Sequence, residues 1–139
     1  QEEEEEEEEG ANSFAEGSYS MHFDGACRGN PGLAGAGAVI TRDSDGHVVF
    51  EIAEYLGHNL TNNESEYRSL IAGLKIAAEL GIRRLNVKGD SKLVVSQVNR
   101  VWQVKEPRLR QLWEEVMALK ANNFKGSFTI AHVYRQYNE

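Results

Sequence analysis

Tyr19-Ser-Met-His-Phe-Asp-Gly-Ala-Cys-Arg-Gly-Asn-Pro-Gly32 sets the reading of this chain. Its first six residues alternate: Tyr19, Met21 and Phe23 point one way, Ser20, His22 and Asp24 the other. That is the period of a strand with one face in a core. Gly25 to Gly32 then reads as a loop, with Asn30-Pro31-Gly32 as its turn signal. The small-residue run Ala34 to Ile40 is a second strand whose glycines permit close backbone approach. Asp43-Ser-Asp-Gly46 is a hairpin turn, and His47 to Tyr55 is the returning strand. The opening is a three-stranded antiparallel meander.

Downstream the period changes. Thr61 to Glu64 fits a capping box, with Thr61 as N-cap and Glu64 reaching back. Tyr67, Leu70, Ile71, Leu74, Ala77 and Ala78 follow at helical spacing, and Gly81 closes the helix. Arg84 to Gly89 reads as a fourth strand and Ser91 to Val98 as a short helix. Leu109, Leu112, Trp113, Val116 and Leu119 mark a further helix, and Phe128 to Val133 a last strand. The expected fold class is α/β: a mixed five-stranded sheet flanked by helices, with parallel strands joined by right-handed crossovers.

Residues 1–18 read as an acidic tail and linker, and 19–139 as the folding domain. Glu2 to Glu9 form an unbroken acidic run that repels itself and is expected to stay solvated and disordered. Of 22 acidic residues, 14 remain without that run, against 15 Lys and Arg, so the net charge of -7 belongs to the tail. A near-neutral domain still binds a polyanion if its basic residues share a face. Arg28, Lys88, Lys92, Arg100, Lys105, Arg108 and Arg110 are the candidates. Cys27 is the single cysteine, which excludes an internal disulfide and a cysteine zinc site and fits a reducing, intracellular setting. No apolar run reaches transmembrane length.

Asp24, Glu66 and Asp90 stand out, one in each of three segments that no single helix or turn brings together. Taken singly each has a plainer reading. Asp24-Gly25 suits a strand end, Glu66 suits the first turns of a helix, and Asp90-Ser91 suits an N-cap. Their coincidence with the order βββαβαα(β) singles them out. Asp90 also falls where a strand gives way to a helix, the usual ligand position in open α/β sheets. Three clustered carboxylates are costly without a counter-charge, and hard oxygen donors favour magnesium or manganese.

These segments resemble the type 1 ribonuclease H family, in its compact plant and archaeal subgroup, over about 19–139. Phe23 to Gly32, Thr61 to Glu66, Gly89-Asp90-Ser91 and His132 to Asn138 look like its four motifs in order. The resemblance implies a metal-dependent endonuclease that hydrolyses the RNA strand of RNA–DNA hybrids. It implies Asp24, Glu66 and Asp90 as ligands of two Mg2+ ions, with Mn2+ as a substitute, and His132 as a catalytic aid to proton transfer or product release. It further implies Gly25, Cys27, Arg28, Gly29, Asn30, Thr61, Asn62, Asn63 and Ser91 as substrate-binding residues, and a monomer with no membrane partner. Trp102 reads first as a core or rim tryptophan, and second as a stacking group on the DNA side.

The family pattern places a fourth carboxylate four residues after the motif asparagine. Here that asparagine is Asn138, so the position falls past Glu139, and a truncated C-terminal helix is expected. The alternative is a catalytically impaired, nucleic-acid-binding domain of the same fold. His22, His47 and His58 match no motif and are assigned no role.

Overall fold

A computed structural model of the chain describes residues 14–29 and 32–134, with 26–28 by backbone alone. The element order is β1 (Ser18–Arg28), β2 (Gly32–Arg42), β3 (Val48–Leu60), α1 (Asn62–Leu80), β4 (Arg84–Gly89), α2 (Lys92–Val98), α3 (Pro107–Asn123) and β5 (Ser127–His132). The five strands form one sheet in the order β3-β2-β1-β4-β5. β1–β2 and β2–β3 pair antiparallel, whereas β4 pairs parallel with β1 and with β5. The expected mixed α/β sheet is the one observed.

Two boundaries differ most from the sequence reading. Gly25 to Gly32 is not a loop throughout: β1 continues through Arg28, with Gly25 opposite Ala36 and Arg28 opposite Leu33. Glycine and alanine weaken a strand signal, but a complete partner strand supplies the hydrogen bonds that propensity does not. β3 likewise runs on to Leu60 rather than stopping at Tyr55. Its register against β2 shifts at Gly32/Ala34 and Ala34/Gly35, and Gly57 and Asn59 take positive φ there. Such irregularities break the two-residue alternation by which a strand is read.

Alternation fixes which sheet face is covered. Tyr19, Met21, Phe23, Ala38, Ile40, Leu85, Val87 and Ile130 are buried in the core with Tyr67, Leu70, Ile71, Leu74 and Ala77 of α1. Val94, Val98, Leu109 and Val116 extend the core into α2 and α3. Thr61 caps α1 as expected. Its hydroxyl accepts from the Glu64 amide at 3.2 Å, and the Glu64 carboxylate accepts from the Thr61 amide at 3.2 Å. Gly81 ends the helix at φ 86, a conformation that costs glycine nothing.

Part of the expected linker belongs to the folded body. The Phe14 ring lies 5.4 Å from that of Tyr19, and the Arg84 guanidinium donates to the Glu16 carbonyl at 2.7 Å. The acidic run, Asn30 and Asn138 lie outside the described residues.

Candidate metal and nucleic-acid site

The site begins with strand register. Phe23 stands opposite Gly89 in the parallel β1–β4 pair, so the next residues, Asp24 and Asp90, emerge side by side. The β4–β5 pair sets Gly89 opposite His132. His132 therefore ends its strand beside Asp90, and its Nε2 lies 3.1 Å from the Asp90 carbonyl. A carbonyl only accepts, so Nε2 carries the proton and Nδ1 of the neutral ring is left as an acceptor. Tyr134 meets the His132 ring edge-on, with centroids 4.7 Å apart.

Glu66 arrives from α1. Ser69 ties the helix to β1: its hydroxyl is shared between the Ser65 carbonyl at 2.8 Å and the Asp24 carbonyl at 3.1 Å. Gly25 lets the two backbones close, because a methyl group there would overlap the backbone of Ser65 and Glu66. Asp24, Glu66 and Asp90 each offer an oxygen within 4.8 Å of the others'. Among the described residues they form the one acidic cluster of this kind. Asp24 is exposed, Asp90 is partly exposed and Glu66 is buried.

A depression of about 410 Å³ opens beside the two aspartates, lined by His22, Phe23, Gly37, Val39, Ile52 and Val133 among others. His22, left without a role by the sequence reading, lines this wall. Partial desolvation, reinforced by the charge of Lys88, holds the imidazole of this exposed residue below the ordinary histidine range. The signal was present in the alternation, which puts His22 on the same strand face as Asp24.

The other expected site residues fall as follows. Gly29 follows β1 at φ 76, and Cys27 and Arg28 lie in the strand. Thr61 is the N-cap of α1, and Asn62 and Asn63 occupy its first turn, one turn before Glu66. The Ser91 hydroxyl caps α2 by accepting from the Val94 amide at 3.3 Å.

The basic set divides. Arg108 pairs with buried Glu64 at 3.6 Å and Arg110 with Glu114 at 3.4 Å. Arg100 and Arg110 both lie over the Trp113 ring, and Lys92 lies over Trp102. Trp102 is a rim residue, 44% exposed.

Comparisons with known proteins agree with this geometry. The family model described as reverse transcriptase-like matches residues 22–139. Ribonuclease HI of Halobacterium salinarum is 39% identical over 123 residues, covering 88% of this chain and 60% of that protein. The chain thus spans three-fifths of that relative's length. Ribonuclease H of Desulforamulus reducens is 32% identical over 133 residues, covering 86% of this chain and 80% of that protein. The crystal structure of LC11-RNase H1 in complex with RNA/DNA hybrid superposes with a TM-score of 0.80 at 34% identity, covering 87% of this chain and 88% of that one. Among the described residues, no helix is long and apolar enough to cross a membrane.

Proposed function

We propose, from the premise that this chain belongs to the type 1 ribonuclease H family, that it hydrolyses the RNA strand of RNA–DNA hybrids with the help of divalent cations. The observation that carries this reading is the convergence of Asp24, Glu66 and Asp90 within 4.8 Å at the edge of an open depression.

The donor set fits a hard divalent cation. It consists of carboxylate oxygens alone, it concentrates negative charge, and it borders an opening wide enough for a phosphate. Asp24, Glu66 and Asp90 would hold magnesium, or manganese in its place. Bound there, the ions supply an activated water and stabilisation of the leaving oxygen.

The chain's own residues do the rest. Buried Glu66, fixed by the helix that Ser69 clamps to β1, is a rigid ligand; exposed Asp24 faces incoming substrate. His132, held through Nε2, presents Nδ1 to take up a proton near the reacting phosphate. Gly25 to Arg28, running alongside β2, and Gly29 in the turn that follows offer backbone groups to the RNA strand. Asn62 and Asn63 extend from the helix that carries Glu66. Contacts of this kind read sugars and phosphates, so the 2′-hydroxyl identifies the strand to be cut.

Labelled RNA annealed to DNA tests the reading. The chain should release short RNA fragments in magnesium, none in EDTA, and none after Asp24→Asn. Intact RNA under all three conditions, with the hybrid still bound, would support the non-catalytic alternative instead.

A further inference from the structure

Gln97 is a buried amide used at both ends. It is 5% exposed in the last turn of α2. Its Oε1 accepts from the Tyr67 hydroxyl at 2.6 Å, and its Nε2 donates to the Gln103 carbonyl at 3.3 Å. Its backbone carbonyl accepts from the Trp113 indole at 3.0 Å. Three bonds on one residue therefore join α1, the segment after α2, and α3. Two residues on, the Asn99 side chain donates to the Ile130 carbonyl at 2.9 Å and ties the same corner to β5.

This corner shapes a groove of about 420 Å³ between α2 and α3, lined by Arg100, Trp102, Gln103, Arg110 and Trp113 among others. The Arg100 and Arg110 guanidinium groups lie 5.8 and 5.3 Å from the Trp113 ring centre, and the Lys92 ammonium lies 5.9 Å from that of Trp102. Val101 and Trp102 are 73% and 44% exposed. Arg100 sits at φ 62, a conformation that a side chain of this size holds when its surroundings impose it. Lys92 beside the exposed Trp102 face, with Arg100 at the edge of partly buried Trp113 and Arg110 shared between that ring and Glu114, suits a nucleic-acid strand, phosphates to the cations and a sugar or base to Trp102. α2 links the groove to Asp90: Lys92 at its start lies over Trp102, and Gln97 in its last turn lines the groove.

We propose that Gln97 is a positioning residue: it holds the 99–104 segment and Trp113 in the shape that lets this groove grip a nucleic-acid strand running past the carboxylates. The polarity of the amide is the reason for glutamine here. An apolar side chain of equal volume fills the space but leaves the Tyr67 hydroxyl and the Gln103 carbonyl without this partner. A carboxylate accepts from Tyr67 but repels Gln103. The inference rests on the nucleic-acid reading above for the identity of the ligand.

Fluorescence anisotropy of a labelled RNA–DNA hybrid in EDTA, with the full chain, tests it. Gln97→Met should weaken binding about tenfold, and in magnesium raise KM by the same factor while kcat stays within about twofold, as for loss of uniform binding. Trp102→Ala should also weaken binding, and the double variant should be no weaker than the worse single one, because both act through one groove. Binding by Gln97→Met within twofold of wild type, or single effects that multiply in the double variant, would overturn the proposal. Should Gln97→Met fail to fold, Tyr67→Phe keeps the phenyl ring, removes the donor to Gln97 Oε1 without altering the groove lining, and faces the same two criteria. Anisotropy needs no cleavage, so a chain that grips the hybrid without cutting it sinks the nuclease reading alone.

Discussion

Gly25 lies directly against the backbone of Glu66. A methyl group on Gly25 would fall on the Ser65 carbonyl and the Glu66 amide, neither of which can turn aside as a side chain can. This contact brings a helix carboxylate to a strand carboxylate. Gly25→Ala should therefore push α1 away from β1, costing about 1–3 kcal/mol of stability by overpacking. Cleavage should fall on the order of a hundredfold, the scale of a 1 Å misplacement. Urea unfolding and single-turnover cleavage check the two numbers. A variant with unchanged activity would show that Glu66 needs no such closeness.

The acidic cluster stores repulsion that a cation relieves. Asp24→Asn should raise the melting temperature in EDTA, because it removes one of three like charges within 4.8 Å. Magnesium at a hundred times its Kd should stabilise the wild type by about 2.7 kcal/mol and the variant by much less. Thermal scans with and without magnesium read both effects. Equal magnesium stabilisation of the two proteins would place the cation elsewhere.

Burial pushes the Tyr67 hydroxyl far above the ordinary tyrosine range. The folded state thus favours the neutral phenol. The stability this contributes is complete below pH about 10, the pKa of an exposed tyrosine, and drains away as pH rises above it. Tyr67→Phe should flatten that alkaline decline. At neutral pH it should cost about 1–3 kcal/mol, because the side-chain Oε1 of Gln97 loses its donor. Urea midpoints at pH 7, 10 and 11 give both quantities, and parallel slopes for the two proteins would contradict the assignment.

Thr61→Ala removes half of a reciprocal cap. The expected cost is about 1 kcal/mol. Glu64→Ala should cost more. It removes the other half of the cap together with the acceptor that Arg108 approaches at 3.6 Å. Denaturant midpoints compare the two, and a larger loss for Thr61→Ala would reverse the ranking.

His132→Ala should lower kcat by about 10²–10⁴, the usual worth of a positioned proton-transfer group, with little effect on hybrid affinity in EDTA. Cleavage kinetics beside anisotropy separate the two. Loss of affinity with unchanged kcat would assign His132 to substrate binding.

Much of the fold was legible because its signals are local. The Tyr19–Met21–Phe23 alternation, the Thr61–Glu64 box, the Gly81 stop and the apolar repeat of α1 each need only a few neighbouring residues, and each appears where expected. The reading stopped short where partners replaced propensity. The β1 extension through Gly25-Ala-Cys-Arg28 draws on β2, and the far end of β3 hides behind register shifts. His22 was placed on the right face but not connected to the depression, since the walls at Gly37, Val39 and Val133 come from β2 and from the residue after β5.

The chain's own order of residues determined which segments become strands or helices and which carboxylates stand at their ends, because dihedral preference and side-chain period act over a few residues. Tertiary structure alone decided that Phe23 faces Gly89, that Gly25 admits Glu66, and that Gln97 joins three elements. Those relationships depend on register and close packing between segments tens of residues apart, and no local pattern encodes a distance.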